Sequence, residues 1–78
     1  MICDDSGFAR KQLARALPEG LATDVQFAAN GREALAILEA EDIDLMFLDL
    51  TMPEMDGYQT LKAMSANDIE VPTIVVSG

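Results

Sequence analysis

The residues able to do chemistry are carboxylates, and they follow apolar runs. Asp49 comes directly after Leu45-Met46-Phe47-Leu48 and opens the stretch Asp49-Leu50-Thr51-Met52-Pro53-Glu54-Met55-Asp56-Gly57. Asp4 and Asp5 follow Met1-Ile2-Cys3, and Ser77 follows Thr73-Ile74-Val75-Val76. A carboxylate where a buried strand gives way to a loop is costly unless metal, hydrogen bonds or chemistry compensate it. Parallel α/β sheets bind ligands off the carboxyl ends of their strands. Neighbouring parallel strands would therefore gather Asp4, Asp5, Asp49 and Ser77 at one sheet edge. Carboxylates packed together repel unless a cation neutralises them. Oxygen ligands with room for water suit Mg2+. Such an ion attracts a phosphoryl group, and a carboxylate can then attack it to give an acyl phosphate. The Ser77 hydroxyl could hydrogen-bond a phosphoryl oxygen.

Taken singly, each residue has a plainer reading. Asp5-Ser6 could simply cap a helix, Asp49 could be a turn residue, Asp56-Gly57 is a helix-start signal, and Ser77 is a serine at a strand end. The functional reading rests on the joint pattern at alternate strands.

The elements that must position these groups follow in order. Met1-Ile2-Cys3 reads as the last part of a buried strand, short enough to suggest residues missing ahead of it. Ser6 is a candidate N-cap. Phe8, Ala9, Leu13, Ala16 and Leu17 recur at helical spacing, with Arg10, Lys11 and Arg15 on other faces, until Pro18 and Gly20 end the helix. Residues 23–29 alternate, with Val25 and Phe27 in phase, as in an edge strand with one exposed face. Asn30-Gly31 makes a tight turn into a helix over residues 33–40, with Ala34, Leu35, Ile37 and Leu38 as its apolar stripe. Residues 44–49 form a third strand, buried on both faces. A third helix spans residues 57–65, with Tyr58, Leu61, Ala63 and Met64 inward, and Asn67-Asp68 breaks it. Pro72 opens a fourth buried strand over residues 73–76. The order β-α-β-α-β-α-β predicts a parallel sheet with right-handed crossovers and helices on both faces. The uncovered edge of the fourth strand invites pairing with another chain or a missing segment.

The bulk numbers agree. The chain has 78 residues, enough for one small domain, and half are hydrophobic. Its 14 acids against 5 bases give a formal net charge of −9. That balance argues against nucleic-acid binding, because little is present to neutralise phosphates. The single cysteine, Cys3, excludes an internal disulfide and reads as a small buried hydrophobe. No apolar run approaches the roughly 20 residues of a membrane span, and no signal pattern opens the chain. The expectation is a cytoplasmic protein.

The combined motifs resemble the receiver domain of bacterial two-component response regulators, of the CheY-like kind, over residues 1–78. Cys3-Asp4-Asp5-Ser6 resembles that family's acidic pair. The stretch from Asp49 to Gly57 matches its phosphoacceptor strand and loop. Asn30-Gly31-Arg32-Glu33-Ala34-Leu35 resembles the start of its second helix, and Pro72-Thr73-Ile74-Val75-Val76-Ser77-Gly78 resembles its fourth strand with the hydroxyl switch residue. The resemblance implies a flavodoxin-like doubly wound parallel sheet in strand order 2-1-3-4. It implies that Asp49 accepts a phosphoryl group from a histidine kinase or histidine phosphotransfer protein, and that an output domain or target protein reads the change. Asp5 and Asp49 would ligate Mg2+ with the backbone carbonyl of Thr51. Asp4 would act through a metal-bound water or by holding Asp5. Met52 and Pro53 would shape the loop, the Thr51 side chain would lie near the attacking water, and Ser77 would couple the phosphoryl group to the distal surface.

The resemblance also implies a further helix, a fifth strand bearing a lysine, and a last helix. No lysine here fits that place, since Lys11 and Lys62 fall in other helices. Two rivals stand beside this reading. An aspartate-nucleophile phosphohydrolase would want a second aspartate where Thr51 stands. An interaction-only pseudo-receiver would keep the fold without the transfer.

Overall fold

The structure is a computed structural model and describes residues 1–18 and 25–76. Among the described residues, four strands alternate with three helices: β1 (Ile2–Cys3), α1 (Gly7–Ala16), β2 (Phe27–Ala28), α2 (Gly31–Ala40), β3 (Met46–Asp49), α3 (Gly57–Ala66) and β4 (Thr73–Val76). The strands are all parallel, in the order β2-β1-β3-β4. This is the flavodoxin-like arrangement expected above. The chain steps one way across the sheet from β1 to β2 and the other way from β2 to β3 and on to β4. Right-handed crossovers therefore put α1 on one face and α2 with α3 on the other.

Register decides which side chains share a face. Cys3 pairs with Ala28 on one side and Leu48 on the other. These three join Met46, Ala34, Leu38, Met52 and Met64 in the buried core between the sheet and the pair α2–α3. The opposite row is Phe27, Ile2, Phe47 and Ile74. There Ile2 is fully buried, but Phe27 and Ile74 stand 45% and 48% exposed.

Each helix starts on a side-chain cap that satisfies a free backbone N–H. Ser6 Oγ accepts from Ala9 N–H, and Asn30 Oδ1 accepts from Glu33 N–H. Asp56 and Gln59 form a reciprocal capping box. The end of α3 is a two-bond turn in which Ile69 N–H reaches Met64 carbonyl and Asp68 N–H reaches Ser65 carbonyl. Asp68 takes the left-handed conformation this requires, with φ 54°.

Several expectations change. Tyr58, expected to point inward, is 62% exposed, and Phe8, the first of the apolar residues at helical spacing in α1, is 72% exposed. In α3 the buried positions are Gly57, Thr60 and Met64. Thr60 can be buried because its hydroxyl donates to Asp56 carbonyl at 2.7 Å, which hides its polarity from the core. In β2 the deeply buried residue is Ala28 rather than Phe27, because α2 and not α1 covers the sheet there. The described part of β2 is two residues, and residues 23 and 24 of the expected strand lie outside the described residues. β4 is not a buried strand. Among the described residues it pairs on one side only, with β3, and both Ile74 and Val75 are exposed.

Candidate functional site

Register alone brings two acids level. Cys3 pairs with Leu48, so the next residue on each strand, Asp4 and Asp49, emerge side by side at the carboxyl edge. Asp5 follows. One carboxylate oxygen from each of Asp4, Asp5 and Asp49 lies within 4.8 Å of the others. Asp4 is buried, Asp49 is half-buried and Asp5 is exposed, so the cluster opens toward solvent.

Local hydrogen bonds orient two of the three. Asp4 Oδ1 accepts from Ser6 N–H at 2.9 Å, which commits one oxygen to the chain turning into α1. Arg10 Nη1 donates to the Asp4 backbone carbonyl at 2.7 Å. That bond ties the peptide between Asp4 and Asp5 to the helix and brings a cation beside the acids. Asp49 Oδ1 accepts from Thr51 N–H at 3.2 Å, leaving its second oxygen available. Among the described residues, no buried side-chain nitrogen or oxygen lacks a hydrogen-bond partner.

The loop after Asp49 is held from behind. Gly57 N–H donates to Leu50 carbonyl at 3.1 Å. A Cβ at Gly57 would stand 2.5 Å from the Asp49 carbonyl oxygen and 2.7 Å from Leu50 Cα, so only glycine permits this approach. Met52 folds back into the core, where the Cys3 thiol lies 3.5 Å from its sulfur. Burial, with the nearby Asp4 and Asp49 carboxylates adding to it, pushes the Cys3 thiol up from its ordinary 9.0 to about 12. Cys3 is thus a packing residue and not a nucleophile at neutral pH.

The acid set fits a hard divalent cation. An ion with oxygen contacts of about 2.1 Å holds adjacent ligands about 3 Å apart and opposite ligands about 4.2 Å apart, so the carboxylates would draw inward around it or bind partly through water. The exposed side leaves room for water. Of the residues singled out from sequence, the structure brings Asp4, Asp5 and Asp49 together, and places Thr51 in hydrogen-bond contact with Asp49. Ser77 lies outside the described residues, although Val76 before it pairs with Asp49. Arg10 was not singled out beforehand, because helical spacing marks it only as lying off the apolar stripe. Asn30 belongs both to the expected turn and to the stretch that resembles a helix start, and Glu33 three residues later fits the second.

Fold and site together define the class: a doubly wound α/β domain with an acidic cluster at the carboxyl edge of its sheet. The family described as the response regulator receiver domain matches residues 1–78, and the chain belongs to it. The chain is 42% identical over 77 residues to a protein-glutamate methylesterase/protein-glutamine glutaminase of Rhodospirillum rubrum, covering 99% of this chain and 20% of that protein. It is 35% identical over 78 residues to the regulatory protein AtoC of Escherichia coli, covering 99% of this chain and 16% of that protein. The chain thus spans about a fifth of the length of such curated relatives. Among solved structures, the receiver domain of a Francisella response regulator superposes with a TM-score of 0.87 at 28% identity, over 97% of this chain and 62% of that one. The receiver domain of the Arabidopsis thaliana histidine kinase CKI1, solved with Mg2+ and BeF3−, gives 0.79 at 29% identity, over 99% of this chain and 63% of that one.

Proposed function

We propose that this chain is a phosphoacceptor signalling domain in which Asp49 takes a phosphoryl group from the phosphohistidine of a kinase or phosphotransfer protein. The observation that carries this reading is the convergence of Asp4, Asp5 and Asp49 at the edge where β1 and β3 end. In the transfer, the Asp49 oxygen not engaged by Thr51 N–H attacks phosphorus. The phosphorus–nitrogen bond breaks, its electron pair stays on the imidazole, and an acyl phosphate forms on Asp49. Asp5, Asp49 and the Thr51 carbonyl would hold Mg2+, with Asp4 assisting through water or by supporting Asp5. Bound there, the ion supplies positive charge that offsets the acids and the phosphoryl oxygens. The Mg2+ and BeF3− in the CKI1 receiver structure support this assignment by similarity.

Water attack later releases phosphate, and the Thr51 side chain is placed by the reading to tune that step. Ser77 would hydrogen-bond the phosphoryl group and couple its presence to a surface read by an output domain or target protein. The β4 edge offers a second route of association with another chain. On this reading the domain is a switch and not a turnover enzyme. It is cytoplasmic, in keeping with the finding that no helix of the described residues is long and apolar enough to cross a membrane.

The test is the intact mass of the chain after incubation with acetyl phosphate. One phosphoryl adduct that requires both Mg2+ and Asp49, and is lost in Asp49→Asn, is the expected result. Mg2+ binding with no adduct would overturn the acceptor role and favour an interaction-only module.

A further inference from the structure

The β2–α2 turn and the loop between β3 and α3 meet at Asn30. Its Oδ1 accepts the Glu33 N–H at 2.9 Å and so caps α2. Its Nδ2 donates to Glu54 Oε2 at 3.3 Å. Its backbone carbonyl lies 3.5 Å from Cys3 Sγ, beside the strand end that carries Asp4. One residue on, Gly31 N–H donates to Met55 carbonyl at 3.0 Å. A Cβ at Gly31 would meet Thr60 Oγ1 and come within 2.7 Å of Met55 Cγ, so the turn is pressed against the loop.

The loop segment it touches is strained. Glu54 has φ 63°, a left-handed conformation that costs a non-glycine residue energy. Met55 N–H closes a tight three-residue turn onto Pro53 carbonyl at 2.7 Å. Such a turn persists where its surroundings hold it. Two contacts reach it from the β2–α2 turn, the Gly31 N–H on Met55 carbonyl and the solvent-exposed bond from Asn30 to Glu54. The loop is tethered at one end by Thr51 N–H on Asp49 and at the other by Gly57 N–H on Leu50 carbonyl. Slack in its middle would reach both sides of Asp49.

We propose that Asn30 is a positioning residue whose amide latches this loop through Glu54 and so sets the geometry around Asp49. The inference rests on the acceptor reading given above. Asparagine is suited to the place for a chemical reason. Serine or aspartate can cap a helix as well, but of the three only asparagine also offers an N–H donor to a carboxylate.

The test compares the wild-type chain with N30S, N30D and N30D/E54Q. All three keep a capping oxygen, so their melting temperatures in metal-free buffer should stay close to wild type. Mg2+ affinity is measured by calorimetry, and the rate of adduct formation with acetyl phosphate by intact mass. N30S should bind Mg2+ more weakly, by at most about fivefold, the ceiling set by one net hydrogen bond, and label more slowly. N30D is the discriminating variant. Its added negative charge would tighten Mg2+ binding if charge alone mattered, whereas a broken latch weakens it. N30D/E54Q restores a reversed amide–carboxylate pair at the wild-type net charge and should recover both affinity and rate. Wild-type behaviour of N30S, tighter binding by N30D, or a double variant as impaired as N30S would each overturn the latch. A wild-type chain that neither binds Mg2+ nor labels would instead overturn the acceptor reading, and the latch with it.

Discussion

The two faces of the sheet are built differently. On one, Cys3, Ala28, Met46 and Leu48 are closed over by α2, α3 and the Met52 side chain, and none is appreciably exposed. On the other, α1 contributes no fully buried residue, and Phe8, Phe27 and Ile74 are left open. The site belongs to both, but unequally. Asp4 and Asp5 lead into α1, whereas Asp49 and its loop are pinned by the α2–α3 side through Met52, Gly31 and Gly57. The lesson is that packing density and chemical placement are coupled more tightly on the face that α2 and α3 close. Damage to that face should disturb fold and site together, whereas on the other face the exposed Phe8, Phe27 and Ile74 should tolerate change and the buried Ile2, two residues before Asp4, should not.

The largest expected effect comes from breaking the packed face. Leu48→Ala removes a fully buried side chain and should cost about 2–5 kcal/mol in urea unfolding. Phe8→Ala, at an exposed position, should fall within about 0.5 kcal/mol. Comparable losses for the two would mean that the faces are equally covered. Next comes Gly57→Ala. Its new methyl must displace the Asp49 carbonyl or Leu50 Cα, at a cost of about 1–3 kcal/mol. Labelling by acetyl phosphate should fall more than the residual folded fraction explains. Normal labelling would show that the loop yields without moving Asp49.

The last effect is absent at neutral pH and grows only under alkaline conditions. The Cys3 thiol is raised from 9.0 to about 12 in the folded state. Below pH 9 it is protonated both folded and unfolded and adds no pH dependence. Between about 9 and 12 the unfolded chain loses this proton and the folded chain keeps it, so stability falls as pH rises. In metal-free buffer, Cys3→Ala should flatten that alkaline decline, and Mg2+ should also lessen it by offsetting Asp4 and Asp49. An unchanged alkaline limb in Cys3→Ala would show that the thiol is not shielded by the packed face.

Much of the site was legible because it depends on strand ends. Apolar runs that stop at Asp4-Asp5 and at Asp49 mark where parallel strands reach the carboxyl edge, whichever helices cover them. The element order was legible for the same reason, since alternation of strand and helix constrains both pairing and handedness. Side-chain direction was less so. Periodicity cannot distinguish a face covered by another element from one left open, which is why Tyr58 was misjudged and Phe8 stands exposed despite its helical spacing. Thr60 was invisible as a core residue because its polarity is cancelled only by a hydrogen bond within the helix. Arg10 and Asn30 act on groups that are distant or unremarkable in sequence.

By itself, the sequence determined the parallel α/β architecture, the three acids at the strand ends, and the glycines that open α2 and α3. These are properties of local composition and of order along the chain, and they survive any detail of packing. Tertiary structure alone decided that the acids lie close together, that one sheet face is more fully covered than the other, and that Asn30 reaches Glu54 across two loops. Those facts depend on register and on contacts between segments far apart in the chain. No periodicity encodes them, because each is settled only when the strands align and the loops between them meet.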